Sequence, residues 1–162
     1  MDEIQLVSFK LGAEEYGVDI MQVQEIIRLI DIVRVPKAPA FVEGIIDLRN
    51  KVLPIVDLRK RFDMPETEKT DASRIVVIDI DDMTVGLIVD SVSEVLRIPL
   101  KSIEPPPKIV SGIESRFLKG IGRVKNRLII LLDLAKIFSI DEAAELGKVE
   151  ELVEAEEERH PA

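Results

Sequence analysis

The sequence is poor in the residues that most catalytic and metal sites require. Its 162 residues include no cysteine, no tryptophan, one tyrosine and a single histidine, His160, close to the end of the chain. Without cysteine there can be no disulfide framework, thiolate zinc site or thiol nucleophile. With one histidine so near the terminus, the usual Ser–His–Asp arrangement cannot be built. The sequence therefore predicts a protein that is not an enzyme and needs no cofactor.

An excess of positive charge and a long apolar run are missing as well. The formal net charge is −9, which disfavours binding to nucleic acid or to an anionic membrane surface. No apolar run approaches the roughly 20 residues that a membrane-spanning helix needs. The N-terminal segment MDEIQLVSF is acidic and lacks the apolar core of a signal peptide. We therefore expect a cytoplasmic protein without membrane insertion.

Aliphatic residues dominate what is present. Hydrophobic residues make up 46% of the chain and aromatic residues only 4%, so that Ile, Val and Leu form most of the apolar content. This content suffices for a packed core, and its β-branched character favours strands.

The sequence also contains an internal repeat. Residues 41–62 align without a gap with residues 117–138 at an offset of 76, with eight identities. Residues 17–26 align with residues 86–95 at an offset of 69. The change of offset places seven extra residues in the second copy, near the prolines at 105–107. Two collinear matches in the same order indicate a duplicated fold.

Each copy has the pattern of short strands arranged in hairpins. The predicted strands are 4–11, 16–20, 32–35, 44–48 and 52–56, and in the second copy 74–80, 84–89, 95–98, 120–124 and 128–132. A short turn containing Glu25 or Glu94 precedes the third strand of each copy. Asp57 and Asp133 can each cap a short helix, over 58–62 and 134–138.

Small sheets of this kind avoid exposed edges by closing into barrels. We therefore predict a mainly β fold of two tandem five-stranded barrels, 1–70 and 71–140, whose edge strands could be shared. The remaining residues, 141–162, form an acidic tail. In it, Leu146, Val149, Leu152 and Val153 fall at helical spacing. We therefore expect the tail to form an amphipathic helix that packs on the two barrels, with binding to a partner protein as the alternative.

The most enzyme-like feature is an acidic group, Asp79, Asp81 and Asp82. Carboxylates can hold a hard cation, so a metal-dependent hydrolase is the alternative function. The group lacks the ligand spacing and the glycine of a calcium loop, and a polar turn that ends a strand is the favoured interpretation.

Two charges in apolar surroundings are more informative. Glu25 lies in VQEII and Arg49 in IIDLRN. Charges that are partly removed from water need partners, so the two could pair with each other. Such a pair could serve the fold alone or hold a binding surface in one geometry.

At these residues the chain resembles the CheW family of bacterial chemotaxis. The resemblance is carried by FKLGAEEYGVDIMQVQEI (9–26), VPKAPAFVEGIIDLRNKVLPIVDLRKRF (35–62), TVGLIVDSVSEVLRI (84–98) and FLKGIGRVKNRLIILLDLAKIF (117–138). It implies two SH3-like barrels with a hydrophobic seam and no catalytic activity. It also implies a scaffold that bridges the regulatory domain of the histidine kinase CheA and the cytoplasmic tips of methyl-accepting chemotaxis receptors. Such proteins are expected to be monomers alone and to assemble in arrays.

The resemblance assigns two sets of residues to partners. The VQEI and NLRG motifs of the family are tied to receptor binding and correspond here to Val23, Glu25 and Arg49. NLRG stands here as DLRN, with Asn50 in place of glycine, which could alter the turn. The expected kinase contact comprises Leu29, Ile30, Asp31, Ile32 and Val33, for which an ordinary buried strand is the alternative. A CheV-type protein or a kinase regulatory module would share the fold, but each carries a further domain that a chain of this length does not accommodate.

Overall fold

The computed structural model describes residues 2–38, 40–80, 82–105 and 117–137, and the structural statements below refer to these residues. The strands are β1 (Glu3–Leu11), β2 (Glu14–Asp19), β3 (Val23–Arg28), β4 (Val42–Leu48), β5 (Lys51–Asp57), β6 (Arg74–Ile80), β7 (Met83–Val89), β8 (Ser91–Pro99), β9 (Ile103–Glu104), β10 (Leu118–Val124) and β11 (Arg127–Leu132). Single-turn helices α1 (Leu58–Arg61) and α2 (Leu134–Ile137) follow β5 and β11. The fold is mainly β, as predicted. The predicted tail helix lies outside the described residues.

The described strands form two sheets. Sheet 1 has the order β8-β1-β2-β11-β10-β9, and sheet 2 has the order β3-β6-β7-β5-β4. Beyond β3 the chain crosses to the far edge of sheet 2, where Val33 bridges Ile45 of β4. In sheet 1, β9 pairs with β10 in the same way. Each sheet is thus closed by the chain that continues from its own edge strand. None of the described helices is long and apolar enough to cross a membrane.

The two copies of the repeat exchange their first hairpins. The β1–β2 hairpin of the first copy lies in sheet 1 among strands of the second copy, and the β6–β7 hairpin of the second copy lies in sheet 2. Parallel pairing of β2 with β11 and of β7 with β5 joins each exchanged hairpin to its sheet. The sheets therefore do not follow the predicted units 1–70 and 71–140, because a hairpin's sequence determines its own pairing but not its distant neighbour.

A repeated glycine makes this parallel pairing possible. Gly86 lies opposite Ile55 in the β5–β7 pair. A Cβ atom at Gly86 would lie 2.5 Å from the Cδ1 of Ile55 and 2.7 Å from the Cγ2 of Ile75, closer than real Cβ contacts. Gly17, its counterpart in the repeat, lies opposite Leu131 in the β2–β11 pair. Glycine at this position thus lets strands of the two copies approach each other.

The largest apolar cluster joins the two sheets. It includes Phe9 and Tyr16 of sheet 1 and Val76 and Leu87 of sheet 2, all fully buried. Stacked and tilted aromatic rings run through it from Phe9 through Tyr16 and Phe62 to Phe117, with centroids 5.8–5.9 Å apart. Smaller clusters fill the interior of each sheet, around Ile55 and Ile75 in sheet 2 and around Leu6 and Ile129 in sheet 1.

Two local predictions were wrong and one was confirmed. Glu25 and Glu94 lie in strands β3 and β8 rather than in turns. In β3, the residues alternate between half-buried and exposed, as is typical of a strand. The strand predicted at 32–35 is reduced to the single bridge at Val33. Asp57 caps α1 as predicted, since its Oδ1 accepts the backbone N–H of Arg59 at 2.9 Å.

A largely buried ion pair links elements of both copies. Arg59 of α1 donates from Nε to Oδ1 of Asp90 at 2.8 Å and from Nη2 to Oδ2 at 2.5 Å. The backbone N–H of Gly12, in the β1–β2 turn, also donates to Asp90 at 2.7 Å. The hydrogen bonds from Arg59 lower the pKa of Asp90 below its usual value. Only 8% of the Arg59 side chain is exposed, so the guanidinium depends on this carboxylate.

We expect Asp90→Ala to lower the free energy of unfolding by about 3 kcal/mol, because it leaves a buried guanidinium unpaired. Urea denaturation at neutral pH measures this loss. Because the pKa of Asp90 is depressed in the folded state, the pair stabilises the protein above the ordinary carboxyl range, and this contribution is lost as the pH falls through the folded pKa. The difference between the variant and the wild type should therefore shrink in acid.

Glu104→Ala provides the control, because it breaks a pair with Arg123 in which both side chains are more than half exposed. Its effect on the free energy of unfolding should be small, because water screens an exposed ion pair. Equal losses for the two variants would contradict the structural role assigned to Asp90.

Candidate protein-binding surface

Glu25 and Arg49 meet where β3 passes the β4–β5 turn. Arg49 Nη2 and Glu25 Oε2 form an ion pair, so the pairing expected from sequence is confirmed. The Arg49 side chain is 72% exposed, whereas that of Glu25 is 27% exposed. Val23, two residues before Glu25, is half-buried and packs against the cluster between the sheets. The arrangement presents a guanidinium to solvent in an orientation held by a partly desolvated carboxylate.

The β4–β5 turn shows how asparagine replaces the glycine of the NLRG motif in the sequence DLRN. Leu48 pairs with Lys51, so Arg49 and Asn50 form a two-residue loop. Their φ angles are 51° and 65°, the left-handed conformation that a type I′ hairpin turn requires at both positions. Asparagine adopts this conformation more readily than most residues with a side chain. Asn50 thus takes the backbone conformation for which glycine is favoured, and the tight turn is kept.

A β-bulge in β3 directs neighbouring side chains toward different partners. Val23 pairs with Ile78 and Glu25 with Val77, so Gln24 is an extra residue without a partner in β6. Gln24 turns toward Asp79, to which its Nε2 donates at 2.5 Å, while Glu25 turns toward Arg49. Bulges commonly redirect side chains in this way at functional sites.

Two of the acidic residues considered as a metal site, Asp79 and Asp82, lie in the described part of the chain. Asp79 accepts hydrogen bonds from Gln24 and from Thr84, the latter at 3.2 Å. Asp82 lies in a turn with φ of 68°, and Asp81 lies outside the described residues. Within the described ranges, no group of three or more His, Asp or Glu residues could hold a metal ion. Asp79 therefore takes part in a polar network between strands.

The segment from Leu29 to Val33 is not an ordinary buried strand. Leu29 and Ile32 are half-buried and pack against the interior cluster of sheet 2. Ile30 and Val33 point outward and are 43% and 61% exposed, and Asp31 between them is exposed too. A segment that closes sheet 2 thus carries two aliphatic side chains on its outer surface.

A close approach of two backbones holds this segment in place. The backbone groups of Val33 and Ile45 exchange hydrogen bonds of 2.9 and 2.8 Å. A Cβ atom at Gly44 would lie 2.3 Å from the carbonyl oxygen of Val33. Gly120, which matches Gly44 in the repeat, allows a similar approach of β9. The repeated glycine therefore marks where each sheet closes.

Sequence reasoning missed several polar residues at these positions. Lys51 and Thr84 belong to the hydrogen-bond network of Gln24 and Asp79. Lys51, Thr84 and Gln24 also line one pocket, together with Glu25 and Arg49. In sheet 1, Glu94 pairs with Arg127 at 3.0 Å. The repeat alignment offered a signal for Glu94, because this residue matches Glu25. Lys51 and Thr84 lie on different strands, and no sequence pattern connects them.

Comparisons with known proteins agree on one family. Residues 5–142 match the family model of the CheW-like domain. The chain is 35% identical over 152 residues to the chemotaxis protein CheW of Treponema pallidum, covering 91% of this chain and 89% of that protein. It is 38% identical over 138 residues to the chemotaxis protein CheW of Rhizobium meliloti, covering 85% and 89%.

A solved structure shares the fold as well. The crystal structure of the scaffolding protein TtCheW from Thermoanaerobacter tengcongensis superimposes with a TM-score of 0.80 at 39% identity. The match covers 88% of this chain and 92% of that one. This likeness, together with the two sheets, confirms the predicted fold class of two small SH3-like β-barrels.

The conformation of the β4–β5 turn leads to a prediction for Asn50. Asn50→Val should lower the free energy of unfolding by about 1–2 kcal/mol, because a β-branched residue is disfavoured at φ of 65°. Asn50→Gly should retain the stability of the wild type, since glycine adopts this conformation freely. Urea denaturation measures both.

Asn126 offers a matched control, since it occupies the same place in the β10–β11 turn but is not among the described residues with a positive φ. If Asn126→Val and Asn50→Val cost the same, left-handed strain is not the cause.

Proposed function

The chain belongs to the family of CheW-like domains, and from this premise we propose that it couples methyl-accepting chemotaxis receptors to the histidine kinase CheA. The family comprises non-catalytic scaffold proteins of chemotaxis, and this protein is one of them. The match over residues 5–142, which contains both candidate partner segments, carries the proposal. In this role the protein would be a monomer on its own, recruited to receptor arrays at the inner face of the membrane.

Val23, Glu25 and Arg49 are the proposed receptor contacts. Exposed charges in a defined orientation give specificity, and half-buried apolar side chains beside them give affinity. The Arg49–Glu25 pair supports this role because most of the Arg49 side chain remains exposed to a partner while the ion pair orients it. Receptor tips are helical hairpins, so a helix lying against the surface is the expected mode of binding.

Leu29, Ile30, Asp31, Ile32 and Val33 are the proposed kinase contact. Ile30 and Val33 offer aliphatic surface, and Asp31 between them offers a charge that selects among partners. By resemblance, the regulatory domain of the kinase shares the fold, so two barrels of similar shape would meet here.

Two of the proposed receptor contacts, Val23 and Glu25, lie on the same continuous stretch of chain as the proposed kinase contact, and Arg49 joins them through its ion pair with Glu25. A receptor and a kinase domain could therefore bind the same barrel side by side. Such a scaffold acts by holding its partners at high effective concentration and in a fixed geometry, without chemistry of its own.

We expect Arg49→Ala to weaken binding of a receptor-tip fragment by about tenfold, the effect of losing roughly 1.4 kcal/mol. The thermal unfolding midpoint should hardly change, because Arg49 is 72% exposed. Isothermal titration calorimetry and a melting curve measure the two quantities. Arg123→Ala is the control, since it removes an exposed arginine from the β10–β11 hairpin. A folded Arg49→Ala protein that binds the fragment normally would refute the receptor assignment.

Ile30→Asp should weaken binding of the CheA regulatory domain while leaving receptor binding intact, because it places a charge in the proposed apolar contact. Copurification with each partner separately, and with both together, measures this selectivity. Met21→Asp is the control at another exposed apolar residue, which is 85% exposed. Equal effects of the two substitutions on kinase binding would argue against the contact at Ile30.

A further inference from the structure

A chain of hydrogen bonds crosses four strands of sheet 2 beside the Arg49–Glu25 pair. Lys51 Nζ of β5 donates to Thr84 Oγ1 of β7 at 3.0 Å, and that hydroxyl donates to Asp79 Oδ1 of β6 at 3.2 Å. Gln24 Nε2 of β3 donates to the same oxygen at 2.5 Å. Thr84 is 5% exposed, so its hydroxyl needs these partners. These hydrogen bonds together hold the Lys51 ammonium in a defined place.

The fold itself does not demand these residue types. The registers of the β1–β2 and β6–β7 hairpins agree at the offset of 69, so the repeat alignment extends through them and gives a counterpart in sheet 1 for each member. Lys51, Asp79, Thr84 and Gln24 correspond to Arg127, Lys10, Glu15 and Ser93. There Arg127 pairs directly with Glu15 at 3.1 Å, and a lysine replaces the central aspartate. The same strand arrangement accommodates a different polar set, so strand pairing does not require the residue types found in sheet 2.

The charges around the pocket indicate what it can bind. Gln24, Glu25, Leu48, Arg49, Lys51, Leu53 and Thr84 line it. The carboxylate of Glu25 is engaged by Arg49, and that of Asp79 by Gln24 and Thr84. Arg49 and Lys51 are both exposed and keep donor capacity, since a guanidinium has five N–H groups and an ammonium has three. A negatively charged hydrogen-bond acceptor such as a carboxylate would complement these two cations.

We propose that Lys51 is a specificity-determining residue of the receptor site, positioned by Thr84, Asp79 and Gln24. Together with Arg49 it receives an acidic side chain from the receptor's helical tip. The proposal rests on the receptor-binding function proposed above and adds to it the chemical class of the group that is recognised. Arg49 is the first residue of the two-residue β4–β5 loop and Lys51 directly follows that loop, so a carboxylate on a helix lying across the turn can reach both.

The first test measures binding of a receptor-tip fragment by calorimetry at several salt concentrations. Lys51→Met should weaken binding about fivefold, equivalent to roughly 1 kcal/mol, and should reduce its salt dependence. Lys51→Arg should retain most of the affinity. Arg127→Met, the matched change in sheet 1, should leave receptor binding unchanged. Equal effects of Lys51→Met and Arg127→Met would overturn the proposal.

The second test examines the positioning role. Thr84→Val removes the hydroxyl that connects Lys51 to Asp79 and should weaken receptor binding about twofold to threefold, as expected for a loss below 1 kcal/mol. Thr84→Ser keeps a hydroxyl and should restore the affinity. Side-chain amide NMR signals of Gln24 should shift in the free Thr84→Val protein, which reports on the network without any receptor. Unchanged Gln24 signals, or equal affinities of the Val and Ser variants, would overturn the positioning role.

The third test identifies the partner group. Acidic residues of the receptor fragment are changed one at a time to their amides. One such change should weaken binding to the wild type but add little to the loss caused by Lys51→Met, the coupling expected of residues in contact. If none couples to Lys51 while Arg49→Ala still weakens binding, this proposal fails and the receptor function stands. If the wild type does not bind the fragment at all, both fail.

Discussion

The parallel pairing between strands of different copies is the constraint on which the rest of the structure depends. It places each first hairpin in the sheet of the other copy, at β2 with β11 and at β5 with β7. Neither barrel can therefore form from one copy alone. The apolar cluster between the sheets contains residues of both, so it forms only when both sheets form. The Arg59–Asp90 pair acts at the same junction, since it joins α1 of the first copy to the end of β7 of the second. The two halves are expected to unfold together.

The proposed binding surface follows from this construction. Apolar side chains fill the interior of each barrel and the contact between the two sheets. The turns and polar residues of sheet 2 therefore lie at its ends. The β4–β5 turn holds Arg49 and Asn50 at positive φ, a conformation that the hairpin around it enforces. The bulge in β3 sends neighbouring side chains to different partners, Gln24 to Asp79 and Glu25 to Arg49. A surface assembled from rigid strands in this way orients its charges before a partner arrives, and that lowers the entropy lost on binding.

Duplication has produced two sheets with one plan and different surfaces. The glycines at strand closure and at the parallel pairing correspond between the copies, as Gly44 does with Gly120 and Gly17 with Gly86. The polar residues around Glu25 and around Glu94 do not correspond in charge, since Asp79 in one copy stands where Lys10 stands in the other. Close packing restricts the first set, most severely at Gly44, Gly86 and Gly120, where a Cβ atom would lie within 3.0 Å of a neighbour, whereas solvent-exposed positions tolerate several polar types. The two sheets therefore share their packing but present different polar surfaces.

The sequence by itself determined what depends on near neighbours. The alternation and the apolar runs located most strands, the aspartate before α1 marked its cap, and the repeat indicated two related halves. The resemblance supplied the family and the residues assigned to partners. Only the tertiary structure decided which strands of the two copies pair, that Glu25 lies in a strand and not in a turn, and that Lys51, Thr84 and Asp79 share one network. Such contacts join residues far apart in the chain, and their choice depends on how all the apolar faces are buried together, which no local pattern encodes.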